Sequence, residues 1–362
     1  MTPRDLHPGA WWIWALGLAT AASATTNPFV LVLIIMAAVL VVVARRTEAP
    51  WALSFRLYVY LALLIITIRV LFRIVFGGVD GDIVLVTLPQ IPLPDLAAGI
   101  QLLGPVTRTD LLGGLYDGLR LAAIIVCIGA ANTLANPRRL LASLPPAFYE
   151  LGTTIVVALS VFPQLAESVG RVRRARALRG DPGRGVGALR RIVVPVMEDA
   201  LDRSMALAAG MDARGYGRAG TATVGERRTT GLLMIGGLVG LCVGVYALLD
   251  RTAPRWLVLP CLVAGVLVAA AGLVSAGRRV QQTRYRPDPW RVAELVAMAC
   301  GIATATLVLT TSAAVAYPAL DVLPQLSVPV LLAVLIAALP AFLTPPPVLD
   351  TTRRVLAKRG AT

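Results

Sequence analysis

Two short segments of this 362-residue chain place arginine before glycine at the end of a helix-like run: Leu178-Arg179-Gly180 and Ala213-Arg214-Gly215. Glycine can take the left-handed conformation that stops a helix, which leaves the arginine in the last turn. The guanidinium can complement the negative end of its own helix, worth about 0.3 to 1 kcal/mol. It can instead project into a partner's groove and pair bidentately with a carboxylate. A single copy favours the first role. Two copies, closing two successive amphipathic helices, favour the second and look like two plugs for two sockets.

Other residue types exclude more chemistry than they offer. The chain has one histidine, His7, and one lysine, Lys358. No Gly-Lys-Ser/Thr tripeptide exists to hold β- and γ-phosphates, so there is no Walker-type ATPase site. Histidine-based metal centres and Ser-His-Asp catalysis are nearly excluded by the same scarcity. Cys127, Cys242, Cys261 and Cys300 lie singly within apolar stretches and read as buried small hydrophobes. Glu198, Asp199 and Asp202 share one helical stretch without a histidine or cysteine partner, and read as a solvated face. Gly183-Arg184-Gly185-Val186-Gly187 has no strand before it and reads as a connector. The sequence calls for no catalytic residue, metal or cofactor of its own.

Composition places these residues in a membrane protein. The chain is 57% hydrophobic and 15% charged, with a mean hydropathy of +0.75, whereas a soluble domain carries about 25% charged residues. Its net charge of +14 therefore suggests a basic cytoplasmic face and not nucleic acid. Eight stretches approach the roughly 20 apolar residues that cross a bilayer: Ala10 to Thr25, Phe29 to Ala44, Trp51 to Phe76, Leu111 to Ala135, Gly231 to Leu249, Trp256 to Ala276, Val292 to Tyr317 and Leu326 to Leu343. A second reading of the N-terminus is a signal peptide, from Arg4, the apolar run at Trp11 and Ala22-Ser23-Ala24.

Arginine then sets the orientation. Between Glu167 and Arg228 there are thirteen arginines against seven acidic residues, which predicts a cytoplasmic interval. Counting outward from it, Arg45 and Arg46, the loop from Arg278 to Arg291 and the tail from Arg353 to Arg359 also fall inside. The loop from Gly77 to Asp110, with Asp80, Asp82, Asp95 and Asp110, falls outside. Within it, Pro89 to Pro105 reads as a lipid-resting loop or a short interfacial helix. Arg69 and Arg73 lie at i and i+4 in the outer half of the third span, where arginine either snorkels to the headgroups or makes an internal contact. Gly236, Gly240 and Gly244 repeat every four residues, as in helices whose backbones approach closely.

The chain divides accordingly into N-terminal spans (1–135), a basic coupling region (136–230) and C-terminal spans (231–362). The middle region lies along or just beneath the membrane. One amphipathic helix runs from Leu151 to Leu178 and brings Gln164, Glu167, Arg171 and Arg174 to one face, with Pro163 as a site of kinking. The other runs from about Leu189 to Arg214, with Leu189, Val193, Val196, Met197, Ala200, Leu201, Ser204, Leu207, Ala208 and Met211 at a period near 3.6. That face is expected to be committed to protein or lipid.

The stretch from Pro195 to Gly217, through Ala213-Arg214-Gly215, resembles the second signature helix of the transmembrane (T) component of energy-coupling factor transporters, ABC-class importers of vitamins and transition metals, in their cobalt-permease form. The segment from Leu140 through Phe162-Pro163 to Arg179-Gly180 resembles the first; it departs at Leu178, where alanine is usual. The resemblance implies an all-α integral membrane protein whose two coupling helices cross as an X or V. It implies that Arg179, Gly180, Ala213, Arg214 and Gly215 dock on two ABC ATPase subunits. ATP is then bound by those partners, while a small substrate-binding membrane subunit (S component) carries the cargo. The chain itself is expected to be a non-catalytic, multi-pass scaffold in the cell membrane, with the coupling helices and C-terminus cytoplasmic. Two other classes remain: a membrane enzyme acting on phosphorylated lipids and a stand-alone secondary transporter. Neither finds its convergent catalytic cluster or its midplane ionisable residues here.

Overall fold

The computed structural model describes residues 4–47, 54–76, 83–89, 103–143, 146–180, 186–215, 223–250, 254–278 and 288–347. It is built almost wholly of helices: α1 Pro8–Ser23, α2 Pro28–Arg45, α3 Phe55–Phe76, α4 Arg108–Leu134, α5 Pro137–Ala142, α6 Tyr149–Leu178, α7 Val186–Ala213, α8 Val224–Leu249, α9 Arg255–Gly277, α10 Val292–Leu309, α11 Ala313–Ala316, α12 Val328–Ala338 and α13 Pro340–Leu343. Two short strands, β1 Val84–Thr87 and β2 Pro105–Thr107, pair antiparallel ahead of α4. The outer stretch expected as a loop or interfacial helix thus ends in a β ribbon. Residues 90–102 of it lie outside the described residues.

Helix starts follow local chemistry. Asn27 accepts from the Phe29 amide and Pro28 occupies the first turn of α2, where its missing N–H costs nothing. Thr107 and Asp110 form a reciprocal capping box on α4, as do Thr223 and Glu226 on α8. Such caps satisfy amides that have no partner within the helix.

Chain contacts divide the protein into two compact units. The first comprises residues 1–140 and 288–362, the second residues 141–287. In the first unit α1 packs against α4 and α10, and α2 against α4 and α12. Its core includes Trp14, Leu18, Leu31, Ile34, Ala122, Val126, Val330 and Ala333, all buried. Trp14 Nε1 donates to the Ala337 carbonyl at 3.1 Å, so even this deeply apolar site satisfies its one polar atom. The fully buried Glu294 pairs with Arg4 at 2.8 Å and accepts the Arg291 amide at 3.1 Å. In the second unit α6 packs on α7 and α8 on α9.

Seven helices among the described residues are long and apolar enough to cross a membrane. Six coincide with spans expected from sequence. The seventh is Leu151–Leu178 of α6, whose apolar first half carries it over the threshold although its second half is basic. Helix α1 has only 16 residues, and the last apolar stretch divides into α12 and α13 beside Pro340. Neither therefore counts among the seven.

Candidate functional site

Helices α6 and α7 meet along one polar-apolar seam. Ser168 Oγ donates to Asp199 Oδ2 at 2.6 Å, Arg171 Nη2 donates to the same oxygen at 2.9 Å, and Arg203 Nε donates to Asp199 Oδ1 at 3.0 Å. The Ser168 hydroxyl is the largest influence holding the Asp199 carboxyl below its ordinary range. Partial desolvation opposes it, and Arg203 and Arg171 add to the lowering. On the partly exposed acidic face of Glu198, Asp199 and Asp202, the central member thus also gains a partner on α6. Periodicity places Asp199 one turn below Arg203 but cannot show that Ser168 of another helix faces it. Glu198 and Asp202 remain exposed.

Beyond this polar contact lies a cavity of about 360 Å³, lined on α6 by Val157, Val161 and Leu165 and on α7 by Leu207, Ala208 and Met211, among others. On α6 the cavity lies before Ser168; on α7 it lies after Asp199. The two helices therefore pass each other in opposite directions. Arg179 stands about 16 Å along α6 from Ser168, and Arg214 about 22 Å along α7 from Asp199, at 1.5 Å per residue. The two Arg-Gly ends accordingly leave the contact on opposite sides.

Each end has the geometry that its sequence demands. Gly180 and Gly215 both have φ of +75°, the left-handed region that glycine enters without steric cost. In the first end the Arg179 amide donates to the Arg176 carbonyl and the Gly180 amide to the Ala177 carbonyl, at 3.0 and 3.1 Å. In the second the Arg214 amide donates to the Met211 carbonyl and the Gly215 amide to the Asp212 carbonyl, at 3.1 and 2.9 Å. Both arginines are exposed, and among the described residues neither guanidinium has an ion-pair or hydrogen-bond partner. Two unpaired guanidiniums on rigid helix ends can each enter a groove of another protein.

Arg69 and Arg73 separate in role. Arg73 Nη2 bonds Asp117 Oδ2 of α4 at 3.3 Å, a partly exposed contact between two of the apolar helices. Arg69 is exposed, and its stem borders Gly118, where an added Cβ would come within 3.2 Å of Arg69 Cβ. The structure also corrects the glycine stripe of α8. The close contacts to α9 come from Gly237, Gly240 and Gly244, where an added Cβ would meet Ala269, Gly265 and Leu262 at 2.6, 3.0 and 2.8 Å. At Gly236 an added Cβ would meet only Val268 Cγ1, at an ordinary contact distance of 3.9 Å. Of the connector Gly183-Arg184-Gly185-Val186-Gly187, the first three residues lie outside the described residues, and Val186 and Gly187 instead open α7.

Seven bilayer-length apolar helices, with two cationic ends on a basic helix pair, define a multi-pass membrane protein. The family model of the CbiQ cobalt transport proteins matches residues 2–224. The chain belongs to this family of cobalt transport proteins, a transport family and not a catalytic one. The match includes the whole of α6 and α7 with Arg179 and Arg214, and stops where α8 begins. No curated protein matches the chain.

Proposed function

We propose that this protein is the transmembrane coupling subunit of an energy-coupling-factor ABC importer for cobalt or a related cargo. Arg179 and Arg214 each enter a groove on one of two partner ATPases. Closure of the ATPase pair on ATP then moves the ends of α6 and α7, and that movement reorients a small substrate-binding membrane subunit. ATP belongs to the partners in this reading, and the chain takes no cofactor. The coupling helices cross as an X or V, with α6, α7 and the C-terminus on the cytoplasmic side.

The observation that carries the proposal is the pair of Arg-Gly helix ends, equal in glycine conformation and pointing away from a shared contact on opposite sides. One such end is explained by its own helix dipole. A pair spaced this way suits two sockets on two similar subunits. Membership of the cobalt transport family supports the cargo class.

The test is a mild-detergent pull-down of the tagged protein from its native membrane, comparing wild type with Arg179→Glu and Arg214→Glu. Each variant is expected to lose ATPase subunits at unchanged protein level. Full retention of ATPases by both variants rejects these residues as the docking contacts, and retention of none by the wild type rejects the coupling role.

A further inference from the structure

Leaving aside the docking arginines, the other strong electrostatic feature of the second unit is the end of the α6–α7 pair formed by the last turns of α6 and the first turns of α7. Residues 168–180 and 186–197 contain Arg171, Arg173, Arg174, Arg176, Arg179, Arg190 and Arg191 and no acidic residue. Arg171 is held by Asp199. Arg173, Arg174 and Arg190 are exposed and, among the described residues, without an ion-pair or hydrogen-bond partner.

Large apolar side chains are exposed within the same turns: Leu178 at 89%, Leu189 at 59% and Met197 at 53%, with Val193 and Val194 also exposed. Arginine interleaved with exposed aliphatic residues is the pattern of a surface that rests in a headgroup layer, the guanidiniums on phosphate and the aliphatics against acyl chains. The basic turns also follow the apolar first half of α6, from Leu151, which suits a helix lying along the bilayer surface. Clusters of four to eight arginines on an amphipathic helix meet anionic lipid at the membrane surface. A protein groove is a poorer fit for Arg173, Arg174 and Arg190, because the cationic and aliphatic side chains alternate over two helices.

We infer that this basic end of α6 and α7 binds the anionic phospholipid headgroups of the cytoplasmic leaflet, through Arg173, Arg174 and Arg190, with Leu189 and Met197 among the acyl chains. The inference rests on the cytoplasmic placement of α6 and α7 given above, but not on ATPase docking. The lipid contact would hold the basic turns beside Arg179 against the headgroups, with Arg179 itself left to an ATPase and Arg214 at the opposite end of the pair to the other.

The test uses the purified full-length chain in detergent, without ATPases, titrated with phosphatidylglycerol or phosphatidylcholine and read by native mass spectrometry. Wild type is expected to retain phosphatidylglycerol in preference to phosphatidylcholine. The triple variant Arg173→Gln, Arg174→Gln, Arg190→Gln should lose that preference, by about fivefold for each arginine removed. The control Arg227→Gln, Arg228→Gln, equally exposed at the start of α8, should keep it. Equal retention of both lipids by wild type, an unchanged preference in the triple variant or an equal loss in the control overturns the inference. If the triple variant keeps its lipid but sheds ATPases in the pull-down, the cluster is a protein contact. Loss of lipid with ATPases retained supports the lipid role.

Discussion

The hydroxyl of Ser168 on α6 donates a 2.6 Å hydrogen bond to Asp199 on α7, where the two helices run past each other in opposite directions. Ser168 is buried at 3% exposure, so its hydroxyl has no water to turn to if Asp199 is lost. Two arginines, one from each helix, close on the same carboxylate. The contact ties together the helices that end at Arg179 and Arg214.

That contact has a defined pH range. Asp199 titrates below its ordinary value in the folded protein, so its contribution is present above the unfolded-state value of about 3.9 and is lost as pH falls through the lowered one. Spin labels on the exposed positions Glu167 and Asp202 should report a constant distance distribution from neutral pH down to the ordinary aspartate value of about 3.9, and a broadened one only below it, as pH falls through the lowered value. Asp199→Asn should broaden it at neutral pH.

The terminal glycines should be intolerant of a side chain for backbone reasons alone. At Gly180 an added Cβ meets nothing within 4 Å, yet its φ of +75° costs an L-residue about 1 to 2 kcal/mol. Gly180→Ala and Gly215→Ala are expected to fray the helix end and weaken ATPase retention in the pull-down. Gly180→Asn should retain more, since asparagine enters this region more readily.

Packing of α8 on α9 should distinguish neighbouring glycines. Gly237→Val drives a side chain into the Ala269 backbone and should destabilise by about 1 to 3 kcal/mol, as overpacking does. Gly236→Ala should be nearly neutral. Fluorescence-detected size exclusion after stepwise heating measures the difference.

In the first unit, Glu294→Gln removes the charge opposite Arg4 while keeping the shape. Because Glu294 is wholly buried and Arg4 is 26% exposed, the cost is expected near about 3 kcal/mol, the lower end for breaking a buried pair. Arg4→Gln combined with Glu294→Gln should recover part of that loss in the same heating assay. Full additivity of the two losses would show that the residues are not coupled.

Much of the site is legible in the amino-acid sequence, because it is written in features local to the chain. A helix stop needs only the residues of its last turn, so the Arg-Gly ends and their left-handed glycines follow from residue order. Apolar runs are equally local, and six of the seven bilayer-length helices follow from them. Packing supplies partners that periodicity leaves open. On α7, Val196 is buried while Leu201 and Met197 are exposed at 64% and 53%, and Asp199, still partly exposed, gains a partner on another helix. The glycine seam of α8 passes through Gly237 and not Gly236.

Residue order alone is enough to specify a helical membrane protein, the starts and stops of its helices, and the two arginines that terminate its amphipathic pair. Hydropathy, capping and glycine conformation act over a few residues and leave their mark there. Packing in three dimensions is what brings Ser168 to Asp199, returns α10 and α12 to the first helices, and groups α8 and α9 with α6 and α7. The return of α10 and α12 joins residues far apart in the chain, whereas α6 to α9 are consecutive helices. A period of 3.6 marks a face as apolar or polar without naming what lies opposite, so even between consecutive helices the facing residues are selected by side-chain fit.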